Sequence, residues 1–172
     1  MGTASGVTRR AFWLGACLLG AAAALGCGPG EAKAPNPTRP LDERRAIEVI
    51  RRAVQKEGAD PAPGRDEKLA GNGATIHVDV SVAGHAYGIV YVTAEDAQAL
   101  GSAIPGANKK DEKLRLVRAA DGETHLVLLY QENYLYDDLT GEAHEQTSIT
   151  CENALARDVG DFITHARTQK YK

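Results

Sequence analysis

Ile76-His77-Val78-Asp79-Val80-Ser81-Val82, then Ala83-Gly84, then Tyr87-Gly88-Ile89-Val90-Tyr91-Val92, decides the fold class of this chain. Ile76, Val78, Val80 and Val82 alternate with His77, Asp79 and Ser81, and successive side chains of a strand point to opposite faces. The first stretch therefore predicts a strand with one buried face. Ala83-Gly84 reads as a turn and 87–92 as the returning strand, so the pair predicts a hairpin. Asp121-Gly122, a dipeptide suited to tight turns, lies between a second pair of strands at 114–118 and 125–130. Residues 126–129 are apolar at successive positions, which predicts a central strand covered on both faces.

Helices flank these hairpins. Ile47, Ile50, Ala53 and Val54 recur at helical spacing within 42–57, and Gly58 follows as a stop. Thr93, with Asp96 three residues on, resembles a capping arrangement for a short helix that Pro105-Gly106 ends. From Thr150 onward, Cys151, Leu155, Val159, Phe162, Ile163 and Ala166 form one apolar stripe. Burying Leu155, Val159, Phe162 and Ile163 contributes on the order of 6–12 kcal/mol before ordering entropy is subtracted. The predicted order is α-ββ-α-ββ-α. It implies a two-layer α+β domain over 41–172, with helices on one face of an antiparallel sheet of about four strands.

Bulk composition agrees with one globular domain: 172 residues, 43% hydrophobic and 25% charged. Of the 20 basic residues, Arg9 and Arg10 precede residue 27, which leaves 18 against 23 acids, a net of −5. That balance argues against a nucleic-acid partner, because phosphate binding needs a basic surface. Trp13 and Met1 are the only residues of their kinds, and Phe162 is the sole Phe after Phe12. The core must therefore be built from Val, Ile, Leu, Ala and Tyr.

The N-terminal stretch reads as an address. Arg9-Arg10 precedes an apolar run over 11–26, too short for a spanning helix and of the kind that defines an export signal. Thr8-Arg9-Arg10-Ala11-Phe12 resembles the twin-arginine signal of bacterial proteins exported already folded, with general secretion as the alternative route. Ala24-Leu25-Gly26-Cys27 resembles a lipobox, in which the Cys is acylated and begins the mature chain. Leu14-Gly15-Ala16-Cys17 fits the same pattern. Cleavage there would leave the apolar residues 18–25 on the mature protein, so Cys27 is the expected lipidation site. The resemblance to bacterial lipoprotein precursors covers residues 8–27 and implies a signal peptide over 1–26. It also implies an extracytoplasmic domain anchored to the inner or outer membrane, since two or more acyl chains anchor stably. Residues 27–40, rich in Pro and small residues, read as an extended linker reaching roughly 40 Å at about 3.1 Å per residue.

Four features of the mature chain carry candidate chemistry. Cys151 is a nucleophile candidate, yet it lies on an apolar helix stripe where a thiol behaves as a small hydrophobe. A disulfide from Cys151 to Cys27 requires an unlipidated Cys27. Asp137, Asp138, Glu142, His144 and Glu145 gather oxygen ligands for a hard cation, without the spacing of an EF-hand loop or a zinc His pair. His77 and Asp79, with His85 near the next turn, sit two apart on one strand face as an acid–base candidate. Tyr134 and Tyr136, if they face solvent together, make an interaction surface. Phosphate loops, nucleophile elbows, paired-Cys metal sites and haem motifs are absent from the sequence, so no cofactor is expected. The expected role is a non-enzymatic envelope lipoprotein that binds a protein or envelope component through its sheet face or Tyr-containing loop. A small hydrolase and a cation or small-ligand binder at 137–145 are the alternatives.

Overall fold

The computed structural model describes residues 37–108, 114–137 and 146–171. Arg9, Arg10, Phe12, Cys17 and Cys27 lie outside the described residues, as do Asp138, Glu142, His144 and Glu145 of the acidic stretch. The class is α+β. In chain order the elements are β1 (Thr38–Pro40), α1 (Glu43–Lys56), β2 (Pro61–Ala62), β3 (Arg65–Lys68), β4 (Thr75–Val78), β5 (Val80–Val82) and β6 (Tyr87–Val92). They continue with α2 (Ala94–Leu100), β7 (Arg115–Arg118), β8 (His125–Tyr130), β9 (Leu135–Asp137) and α3 (Ser148–Thr168).

Local chemistry explains the helix ends. The Asp42 carboxylate accepts the Arg45 N–H at 3.2 Å and starts α1. Thr93 and Asp96 form a reciprocal capping box on α2: the Thr93 hydroxyl accepts the Asp96 N–H, and the Asp96 carboxylate accepts the Thr93 N–H. Thr147, three residues before the predicted start, caps α3 by accepting the Thr150 N–H at 3.1 Å. Gly122 takes φ 74° in the turn between β7 and β8, a conformation costly for other residues.

Among the described residues, the main sheet has five strands in the order β2-β5-β6-β8-β7, rather than four antiparallel ones. Both predicted hairpins exist, β5 with β6 and β7 with β8. They join through their second strands, so β6 and β8 run parallel, with Tyr87 beside His125 and Val92 beside Tyr130. Alternating hydrophobicity specifies which face a strand buries and not which strand lies beside it. The parallel junction was therefore invisible in the pattern. β8 is an interior strand buried on both faces, between β6 and the edge strand β7, whereas the middle of the sheet is β6.

The first strand departs most from expectation. It breaks at Asp79, and the two halves serve different cores. Val80 and Val82 pack with α1 and α3 on one face of the sheet, whereas Ile76 and Val78 pack with Val90, Val92, Leu126 and Leu128 on the other. A one-residue irregularity switches every later side chain to the opposite face. β4 then pairs with β3 as a separate ribbon over the second face, where Ile104, just after α2, also packs. Helices do cover one face, as expected, but the other face is also covered, so the domain has three layers rather than two. Gly88 permits this close stacking, because a Cβ there would stand 2.7 Å from Val78 Cγ1.

On the helical face, α1 and α3 lie side by side in the same direction. Arg45 near the start of α1 makes a two-pronged contact with Glu152 near the start of α3, at 2.9 and 3.1 Å. At the far ends Arg167 donates to the Glu57 carbonyl at 2.6 Å. Such exposed pairs are each worth about 0–1 kcal/mol, so they orient the helices more than they hold them. The main stabilisation is burial of Leu155, Val159, Phe162 and Ile163, all 0% exposed, against Ile50, Val54 and the sheet. The end of the predicted linker is part of the domain: β1 pairs antiparallel with β9, Thr38 opposite Asp137 and Pro40 opposite Leu135. Pro lacks an N–H and is tolerated at such an edge.

Candidate functional site

A cleft of about 770 Å³ opens where the carboxyl end of β8 and the turn that follows it face α3. Its described floor includes Leu114, Leu128 and Leu129, with Tyr130 and Tyr134 at the back. One wall is a second stripe of α3, made by Thr150, Asn153, Arg157, Asp158 and Asp161. These residues recur at i, i+3, i+7, i+8 and i+11, beside the apolar stripe and at the same helical period. Asn108, Asn133 and Gln146 complete the described rim.

The back wall is fixed by hydrogen bonds. β8 ends at Tyr130, and a single 3₁₀ turn over Gln131–Asn133 brings the chain round to Tyr134. The Tyr134 hydroxyl donates to Asp158 Oδ2 at 2.8 Å, which ties the β8–β9 connection to the middle of α3. Burial, and then the charge of Asp158, hold the Tyr134 phenol well above the usual tyrosine range, so it keeps the proton it donates to Asp158. The Tyr134 carbonyl accepts the Leu41 N–H at 2.9 Å, and the buried Tyr91 hydroxyl donates to the Leu41 carbonyl at 2.9 Å. The Tyr130 hydroxyl donates to the Pro105 carbonyl.

Polar groups in the cleft differ in how far they are committed. Asp158 accepts from Tyr134 on one oxygen and meets the Arg157 guanidinium at 3.4 Å on the other. Asn133 donates weakly to Asn108 at 3.4 Å. Among the described residues, no hydrogen bond engages the side-chain amides of Gln146 or Asn153. Asp161 is an exposed carboxylate at the edge.

The residues singled out in the sequence are not brought together. Cys151 is a free thiol at 0% exposure in the helix–sheet core, its pKa pushed up to about 11 by burial and by the charge of Glu152. It is core, as its stripe position required. Asp137 does not face solvent with an acidic loop: it is 2% exposed, accepts the Gln146 N–H at 2.8 Å and so joins the two ends of the segment 138–145. His77 and Asp79 do not pair. His77 Nδ1 lies 2.7 Å from Asp66 on β3, and this bond raises the His77 pKa, while the Asp79 carboxylate turns inward to the Tyr91 N–H. His85 stacks on Tyr87 at 4.9 Å. Tyr134 and Tyr136 make no shared solvent surface. Tyr134 is 3% exposed, and Tyr136 is partly buried against the core with Arg39 5.0 Å above its ring. They are separated by one residue, but Tyr134 precedes β9 in a non-strand conformation, so the alternation that would align them is broken.

The opposite end of the molecule gathers aromatic groups that no spacing along the chain relates. His125 stacks on Tyr171 at 3.7 Å and 6°, with His165 edge-on to the same ring. His125 Nδ1 faces the Glu123 carbonyl at 2.7 Å, so that nitrogen carries the proton. Among the described residues, no group of three or more His, Cys, Asp or Glu is placed to hold a metal ion. No helix there is long and apolar enough to cross a membrane.

Comparison with protein-family models, with curated proteins and with solved structures finds no match for this chain.

Proposed function

We propose that this chain is an exported lipoprotein, anchored to a bacterial membrane through acylated Cys27, whose domain binds a small polar envelope component without transforming it. The cleft between the carboxyl end of β8, the turn after it and α3 carries this reading. Its volume of about 770 Å³ lies within the roughly 300–1,000 Å³ typical of small-molecule sites. It also lies at the carboxyl end of β8, one of the two parallel strands, the end where ligands settle in open parallel sheets. Both faces of the sheet are covered, which turns the expected binding surface from a sheet face to this cleft. The tether is the stretch between Cys27 and Thr38, and Arg9-Arg10 direct export through the twin-arginine route.

Small-molecule fractions of the producing cell's envelope test the binding role. Ala154 of α3 also lines the cleft, and saturation-transfer NMR with the full chain in phosphatidylcholine nanodiscs should give ligand signals that disappear when Ala154→Trp fills it. Equal signals from both proteins would contradict the reading. The anchor is tested separately: labelled fatty acid should appear on the protein and be abolished by Cys27→Ser, and label persisting in that variant would contradict acylation at Cys27.

A further inference from the structure

Resting on the cleft as the binding site, we infer that its ligand is a neutral, polyhydroxylated molecule of one or two rings, a saccharide in chemical class. The side chains select it by elimination and by complementarity. Asn133, Gln146 and Asn153 line the cleft, and each carboxamide presents a donor and an acceptor side by side. A group that both accepts and donates, as a hydroxyl does, satisfies both halves of the carboxamide. A carboxylate or phosphate only accepts, and an ammonium only donates.

The charges point the same way. Arg157, the cation among the described lining residues, lies 3.4 Å from Asp158 and is partly neutralised by it. Asp161 adds a further negative charge at the edge. Among the described lining residues, an anion meets two carboxylates and one guanidinium already paired. A simple cation would satisfy Asp161 but leave the unpartnered N–H groups of Gln146 and Asn153 facing it. A wholly apolar ligand would strip water from those amides and return no hydrogen bonds, at a cost of about 1–3 kcal/mol for each group left unpaired. Leu114, partly exposed in the cleft, completes the match, because a sugar ring turns a C–H face to apolar surface while its rim hydroxyls reach outward. Two side-chain amides, on Gln146 and Asn153, have no partner among the described residues and are available for those hydroxyls.

The test is isothermal titration of the full chain in phosphatidylcholine nanodiscs with four probes: N,N′-diacetylchitobiose, maltose, spermidine and citrate. At least one of the two saccharides should bind. Asn153→Leu and Gln146→Leu should each weaken it tenfold or more, and His85→Ala, remote from the cleft, should leave it unchanged. Circular dichroism melting curves of the two Leu variants close to the parent's would exclude unfolding as the cause. Binding of spermidine or citrate alone, lost in the same variants, would overturn the saccharide while leaving the cleft as a binding site. Saccharide binding that neither variant weakens would overturn the assignment of these amides. Failure of both saccharides to bind would overturn the inference outright, with the Ala154→Trp comparison deciding separately whether the cleft binds anything.

Discussion

The Asp79 carboxylate accepts the Tyr91 backbone N–H at 2.7 Å, in the place where a continuous strand would have offered a backbone carbonyl. This one bond lets β4 leave the main sheet without orphaning a buried donor on β6, so it underlies the three-layer arrangement. A carboxylate in that position is poorly solvated, and burial pushes its pKa up to about 6 from 3.8, opposed mainly by the Tyr91 hydrogen bond.

The sign of the resulting pH dependence follows from linkage. A carboxyl whose folded pKa is raised binds more protons in the folded state than in the unfolded one between pH 3.8 and about 6. Its contribution to stability is fully present below the unfolded pKa and is lost as pH rises through about 6. Asp79→Asn keeps an oxygen that accepts the Tyr91 N–H and removes the buried charge. The variant should therefore be more stable than the parent at pH 7, by about 1–2 kcal/mol after allowance for partial solvation. That advantage should vanish near pH 4, as read from paired thermal melts. An equal advantage at both pH values, or a loss at pH 7, would contradict the account of Asp79.

Cys151 should behave as a core residue. Its thiol, raised to about 11 by burial, should react slowly with a thiol probe at neutral pH and readily after denaturation. Cys151→Ala should cost stability, about 1 kcal/mol for the lost sulfur and its small cavity, and leave saccharide binding intact. Fast labelling of the native protein would show an accessible thiolate and contradict the packing described.

Tyr134→Phe removes the donor to Asp158 and tests whether that bond holds the back of the cleft. A hydrogen bond to a charged acceptor is worth about 1.5–3 kcal/mol. The variant should lose stability on that scale, measured by urea unfolding, and should weaken ligand binding through a displaced Asp158. Parent-like stability would mean that the bond is not made in solution.

The elements were largely legible because each is written in local chemistry. Asp42 and Gly58 frame α1, Thr93 and Asp96 make their capping box, and Asp121-Gly122 turns the second hairpin. Less legible was whatever depended on partners far along the chain. Nothing in Ile76-His77-Val78-Asp79-Val80 distinguishes a continuous strand from one that changes core at Asp79, since the valines alternate correctly on both sides of the break. Nor does any residue of β6 or β8 record that the two hairpins meet through them in parallel. Tyr134 drew notice as an aromatic in a connecting segment. Its burial against Tyr91 and its bond to Asp158, 24 residues on, come from tertiary packing. The cleft had one readable trace. Thr150, Asn153, Arg157 and Asp161 repeat at helical spacing, but a polar helix stripe usually faces bulk water, and only the fold brings the end of β8 and Leu114 opposite it.

Amide chemical-shift mapping during a saccharide titration reports where the ligand sits, even for weak binding. The largest shifts should fall on Asn133, Tyr134, Gln146, Asn153 and Arg157, with little change at His125 and Tyr171 on the opposite end. Shifts centred on His125, His165 and Tyr171, or spread evenly over the surface, would contradict binding in the cleft.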